Sequence, residues 1–546
     1  MEKEGIKEIG AGGLETIGAP MWALFQKRLA ELEQRFEGIK DFVPVVATEL
    51  PTASEETMYK IYLVPSANAD EGNVKDEYIT IATTSGETTS YAWEQIGSTA
   101  IDMSGIESRI SSLESAVADY ALIPHTGEYA YGIEFDVTVS SRDCTRIGNS
   151  TLHQSLPVQS RMKGCLLDDN GNVVDYLDPT SWTGAVRDGS RGQVMVEIPE
   201  HYRKFETGGN KRRVLISEYP LPGYAKVKKQ YVSAYQAALD RTNSKLASVV
   251  NTTTQYRGGN NTSGWDAQDN SLLGMPATNI SRTNFRTYAR NRKANSTEWN
   301  CMTYDMQKTL YWLYAIEYAT LDSQKAYNAQ LDANGYRQGG LGDGVTTVNS
   351  TKWNNFNSYN PFVPCGHTDS LGNTTGVVSY TMPEEYDSEN TVTVSVPRYR
   401  GVENPFGHIW QWTDGINVRI NPTEANGGNN LSEVFVCSDP SKFTDSGYDG
   451  YTLVGHEART DGYVKNVIFG EGGEIMPSEV GGGSTTYFCD YHYTNISTTV
   501  ALRGVRFGGC ADYGAHAGFA YAGSNSAPSY ASASIGSRLC FIPEET

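Results

Sequence analysis

The sequence predicts an α+β protein: short coiled coils and a small β module in an N-terminal stalk, then one large globular domain. Three observations lead there. Two heptad-spaced apolar runs, at 22–36 and 103–120, bracket a stretch that alternates like β-structure. From about Ile123 onward there is no linker-like break, only short Gly, Asn and Ser loops between strand-like runs. Within that continuous part, two segments carry a helical period instead. At 546 residues the chain is long enough for roughly two to four domains with sizeable cores.

Taken in order, the first 20 residues are Gly-rich and expected to be extended or tied into a partner. Trp22, Phe25, Leu29, Leu32 and Phe36 follow at alternating spacings of three and four, among charged neighbours. That is coiled-coil spacing, with an amphipathic helix packed on its own domain as the alternative. Tyr59–Val64 and Tyr78–Ile81 read as strands separated by a polar turn, and Tyr91–Ile96 as a third. The second heptad run holds Met103, Ile106, Ile110, Leu113, Val117 and Tyr120. It is too short to be stable alone and makes sense inside an assembly. Ile at successive seam positions is consistent with more than two strands, so a parallel homotrimer is expected.

In the large part, strands are predicted at 137–139, around an Asp168–Gly171 hairpin, at 193–199 and at 214–217. A helix is predicted over 228–241, with Tyr231, Ala234, Tyr235, Ala238 and Leu239 on one face. A second, over 304–324, is apolar nearly all round and should be buried, with Asp305 as its N-cap. Trp410 and Trp412 alternate on a strand and share a face, with Gln411 on the other; Asp414-Gly415 signals a hairpin turn. Insertions at 250–300, 335–375 and 420–485 read as structured loops around a ligand end. The boundaries expected are 1–40 (attachment segment and first coil), 41–100 (β module), 101–122 (coil), 123–190 (β-rich connection) and 191–546 (large domain).

A formal charge of −20 argues against a nucleic-acid backbone or an anionic membrane as partner. Thirty-four tyrosines suit an adhesive surface of the kind antibodies use, and equally a β-rich extracellular protein. The N-terminus lacks a basic region followed by an apolar stretch, so no export signal is expected. Eight widely spaced cysteines without a CxxC pair suggest buried free thiols rather than a zinc site. There is no HExxH, GxSxG or phosphate-binding loop, and Asp168–Gly171 lacks the carboxylate spacing of a calcium loop. No metal, cofactor or catalytic residue is expected, and the chain is not expected to be an enzyme.

The segment 501–541 stands apart. It contains no Lys, Glu, Gln, Met or Trp. None of these has a codon ending in C or T, whereas every residue scattered through the segment does. Randomising the adenines of Asn codons gives this composition. The scattered residues interrupt a frame of Phe507, Ala517-Gly518-Phe519, Ala527-Pro528-Ser529 and Ile535-Gly536-Ser537-Arg538. This arrangement resembles the variable region of proteins diversified by a diversity-generating retroelement. Two positions depart from their usual frame: Val505 stands for Gly and Phe507 for Trp.

Upstream motifs occur in an order similar to the fold shared by C-type-lectin-like variable proteins and formylglycine-generating enzymes. They are the MVEIP strand ending at Pro199, a helix after the ISEYP ending at Pro220, Ala315–Ala319, and Asn404-Pro405-Phe406-Gly407-His408-Ile409-Trp410-Gln411-Trp412. Arg503-Gly504 and Ile535–Leu539 complete the set, so the resemblance spans about 190–546. The phrase Tyr59–Gly97 also resembles small shaft modules of phage tail fibres.

The resemblance implies a bacteriophage tail-fibre receptor-binding protein in the virion, made in the host cytoplasm. It would be joined to other tail proteins by its N-terminus and would grip a bacterial surface receptor, protein or glycan. A retroelement-diversified cellular surface protein is the alternative. It also implies that Phe507, Phe519, Pro528, Ile535 and Arg538 are structural. The diversified, exposed face would comprise Arg506, Cys510, Asp512, Tyr513, His516, Tyr521, Gly523, Asn525, Ser526, Tyr530, Ser532 and Ser534. True C-type lectins bind calcium and sugar through Glu-Pro-Asn or Gln-Pro-Asp; Glu403-Asn404-Pro405 departs from both, which disfavours calcium-dependent sugar binding. The oxidases of this fold need two late cysteines for copper. Cys510 and Cys540 lack that context.

Overall fold

The computed structural model describes residues 43–66, 75–86, 88–98, 127–259, 272–342, 347–383 and 392–544. Both heptad runs and the attachment segment lie outside them. The chain divides into two units, Met1–Ser115 and Ala116–Thr546.

The smaller unit holds one four-stranded sheet of Val43–Val46, Lys60–Pro65, Lys75–Ser85 and Thr88–Ser98, in that order. The first pair is parallel and the rest antiparallel. All three strands expected from the alternation are present. Tyr62 and Val64 are its buried apolar side chains among the described residues, and Tyr62 meets Trp93 edge-on at 4.9 Å.

The larger unit is mostly β. Its five-stranded sheet contains Ala130–Asp136, and its six-stranded sheet contains Lys163–Leu167 and Val173–Tyr176, so the 123–190 region pairs directly into the large unit. The six-stranded sheet also takes the last strand, Leu539–Phe541, between Trp299–Cys301 and Gln230–Ser233. A nine-stranded sheet has Trp410–Ile420, Ala501–Gly508 and Gly518–Ser526 as neighbours at its centre. Four α-helices accompany these sheets among the described residues: α1 Ser150–Ser155, α2 Arg282–Arg290, α3 Tyr304–Tyr318 and α4 Ser350–Asn357.

Helix α3 is the helical centre of the core, and every residue in it except Asp305 is buried. Its low polarity all round leaves no solvent face, as its sequence predicts. Two details differ. The N-cap is Thr303, whose hydroxyl accepts from the Met306 amide, while Asp305 in the first turn pairs with Arg203 at 3.0 Å. The helix stops at Tyr318 because Ala319 turns left-handed (φ 52°) and Leu321 then bonds back to the Arg142 carbonyl.

Other expectations give way to tertiary pairing. The segment 228–241 is not a helix: Gln230–Ser233 and Ala238–Asp240 are strands. Residues 230–240 are all buried. A strand covered on both faces reads as a continuous apolar run, and such a run also satisfies a helical period. The strand expected at 137–139 ends at Asp136, whose carboxylate accepts from the amide and hydroxyl of Thr138 and turns the chain. Asp414-Gly415 is no hairpin but a bulge inside the Trp410–Ile420 strand, where register jumps between Thr413↔Val505 and Asn417↔Gly504. Gly415 sits at φ 76°, and a Cβ there would lie 2.7 Å from the Cys437 carbonyl. The insertion 420–485 is not loop either. It supplies the strands Ser432–Val436, Thr452–His456, Gly462–Phe469 and Glu474–Val480.

Candidate binding site

Five residues of the frame, Phe507, Phe519, Pro528, Ile535 and Arg538, lie inside the protein, while Ala527 is half-buried and Ser529 exposed. Phe507 is fully buried and stacks on Tyr304 at 6.0 Å. Phe519, 1% exposed, packs among Phe406, Tyr314 and Tyr399. Pro528 and Ile535 are buried. Arg538, 1% exposed, donates to the carbonyls of Ser233, Glu403 and Asn404 and to Gln411 Oε1 at 2.9 Å. Burial pulls its pKa down to about 10, opposed by the nearby Glu403 carboxylate, and these acceptors together with the Ala234 carbonyl satisfy the guanidinium inside.

Between these anchors the chain opens a cavity of about 860 Å³. Nine of the twelve predicted positions line it: Arg506, Cys510, Asp512, Tyr513, Asn525, Ser526, Tyr530, Ser532 and Ser534. Three do not. Tyr521 is fully buried with its ring 4.5 Å from that of Trp410. Gly523 lies beneath the same indole, where a Cβ would come within 3.3 Å. His516 stacks on Tyr491 at 4.0 Å, and burial lowers its pKa. The Trp410 indole covers both Tyr521 and Gly523, whereas Asn525, two residues further along the same strand, reaches the cavity.

The remaining wall was not legible in the last segment. Trp353 of α4, Tyr359 just after it, Tyr493 and Trp410 complete the cavity, with Ala527, Ser529 and Ala531. The signal available in the sequence was the pair of aromatics in the Asn-rich stretch of the 335–375 insertion. Trp410 and Trp412 do share a face, and the Arg506 guanidinium lies over both rings at 5.0 and 5.7 Å. Arg506 also donates to Asn525 Oδ1, and its burial lowers its pKa. The Cys510 thiol donates to Asp512 Oδ1 at 3.0 Å, and burial pushes that thiol's pKa well up. It is therefore a protonated, unreactive thiol.

The cavity loops hang from main-chain bonds. The Pro528 carbonyl accepts from the Arg282 amide (3.0 Å), that of Ser532 from Asn279 (2.9 Å), and that of Ser534 from Trp410 (2.9 Å). Ala511 bonds through its carbonyl to Val348 and through its amide to His408. Tyr530 closes its own turn on the Ala527 carbonyl. None of these bonds uses a cavity-facing side chain, although within the loop the Ser532 hydroxyl also accepts from the Ser534 amide at 3.4 Å.

All eight cysteines are free, six of them buried. Cys540 Sγ lies 3.8 Å from Met302 Sδ, in surroundings separate from the Cys510–Asp512 contact. Among the described residues no group of three or more His, Cys, Asp or Glu is placed to hold a metal ion.

No family model and no curated protein matches the sequence. Among solved structures the chain is similar to a Major Tropism Determinant U1 variant, with 12% identity over 70% of this chain and 71% of that one, at a TM-score of 0.21. It is also similar to a Major Tropism Determinant I1 variant, with 11% identity over 69% of this chain and 78% of that one, at a TM-score of 0.18. Superpositions of this quality do not define a fold.

Proposed function

We propose that this chain is a bacteriophage tail-fibre receptor-binding protein that grips a bacterial surface receptor in the cavity of its last segment. The observation that carries the proposal is the placement of nine positions, singled out by codon class and the resembled frame, around one cavity whose loops are tied down by main-chain bonds. Such a site can change its side chains by retroelement-directed mutation while the scaffold stays the same. Tyr513 and Tyr530 supply contact area at small entropic cost, and the serines and Asn525 supply adaptable hydrogen bonds. Binding, rather than catalysis, is the role proposed. A homotrimer joined through the heptad runs would multiply weak single-site affinity by avidity, with the N-terminus attached to other tail proteins.

The test is to sequence the gene's 3′ end across isolates of one lineage and to measure adsorption of purified protein from each to a panel of bacterial strains. Changes are expected at the cavity-lining positions, on codons ending in C or T, with the preferred strain changing in step. A segment as invariant as Trp410 and Trp412 overturns the diversified site. Adsorption to no strain overturns the adhesin.

A further inference from the structure

We infer that the cavity takes a neutral glycan, with a sugar ring stacked on an aromatic wall outside the variable segment and its hydroxyls read by the variable rim; this rests on the adhesin proposal above. Shape is the first argument. A concave space of about 860 Å³ is of the size that encloses small ligands, whereas a protein partner engages a broad face of about 800 Å² on each side.

The wall is the second argument. Tyr359 and Tyr493 are half-buried and line the cavity, and neither belongs to the segment 501–541. Trp353 stands fully buried behind Tyr359, the two rings edge-to-face at 5.1 Å, and its Nε1 donates to the Asn360 carbonyl at 3.1 Å. The Tyr359 ring therefore has a fixed backing. A rigid aromatic face with a polar tip suits a pyranose, which has an apolar C–H face and a polar edge.

Charge is the third. The two charged side chains of the lining are of opposite sign, so together they favour neither a cation nor an anion: Arg506 donates to Asn525 and lies over the Trp410 ring, its buried Nε without a partner, and Asp512 accepts from the Cys510 thiol. Apart from the methyls of Ala527 and Ala531, the rest of the rim is hydroxyl and amide. Ser526, Ser529, Ser532 and Ser534 can each donate and accept, as a sugar hydroxyl does. A chain of charge −20 repels polyanionic polysaccharides as well.

The experiment uses purified full-length protein and a bacterial strain that it binds. Cells are oxidised with periodate, which cleaves glycan diols, or digested with proteinase, and residual binding is read by fluorescence at low and high salt. Periodate is expected to abolish binding, with proteinase and salt leaving it unchanged. Tyr359→Ala and Tyr493→Ala, melting as the unmodified protein does, are each expected to weaken binding about tenfold. Loss on proteinase with survival of periodate overturns the glycan and leaves the adhesin standing. Steep loss at high salt overturns neutrality. If no strain is bound before treatment, the adhesin proposal falls and this inference with it. The two treatments are applied to the cells and read with the unmodified protein, so a variant that fails to fold does not shield the inference.

Discussion

The strand Gly518–Ser526 and the loop that follows it, 527–534, belong to one stretch of uniform composition, yet they are held in opposite ways. The strand is locked by side chains. Asp490 accepts the Ala520 amide at 2.7 Å and occupies the space a Cβ on Gly518 would need. Phe519 fills an aromatic cluster, Tyr521 packs on Trp410, and Ser524 donates to buried Glu457 at 3.0 Å. The loop is locked by its main chain, through Pro528, Ser532 and Ser534, and turns its side chains to the cavity. Composition marks which residues a mutational process can write. Packing decides which of them the fold tolerates.

The sharpest way to break this contrast is Arg538→Ala, which strips a buried donor from three carbonyls and Gln411. It is expected to cost about 3–5 kcal/mol, read as a shift in the urea midpoint of the large unit. A midpoint unchanged from the natural chain would mean that the frame is not what holds the segment.

Glu457 tests the strand through pH. Burial raises its pKa to about 8; Ser524 and Thr494 donate to it, and Arg459 and Arg503 face it and pull the other way. A carboxyl raised above its unfolded value binds a proton in the fold that the unfolded chain releases. Its contribution to stability is therefore complete below the ordinary carboxylate range and fades as pH rises to about 8. Glu457→Gln keeps the shape without that titration. It is expected to remove a decline of roughly 2–3 kcal/mol between pH 5 and 8, followed by thermal melting across that range. Parallel pH profiles for the two proteins would contradict it.

Gly518→Ala places a methyl 1.8 Å from Asp490 Oδ1 and should cost about 1–3 kcal/mol by forcing the strand aside. Gly518 belongs to the frame, so its cost measures how strongly packing holds that position to glycine.

The smallest expected effect falls on the loop. Tyr530 is 49% exposed, and Tyr530→Ser should move stability by less than about 0.5 kcal/mol while weakening adsorption to the bound strain. A large loss of stability would erase the distinction between loop and strand.

Much was written in the chain itself. The missing residue types mark 501–541, and the frame residues Phe507, Phe519, Ile535 and Arg538 are buried, as the resemblance of that segment implies. The apolar girth of α3 and the alternation from Tyr59 to Ile96 identified those elements, because each signal is local and repeats with the period of the structure it forms. What the sequence left open depends on partners distant along the chain. Gln230–Ser233 became a strand because the strands of Phe541 and Ile198 pair with it from either side, and Ala238–Asp240 because Lys245–Ala247 pairs with it. Tyr521 turned inward because Trp410 lies beneath it. The cavity itself exists only where Trp353, Tyr359 and Tyr493 meet the last segment, Tyr493 by strand pairing with Gly523 and the α4 region through the Val348 amide on the Ala511 carbonyl. A local period cannot encode which neighbour will cover a face; that is settled when the sheets close.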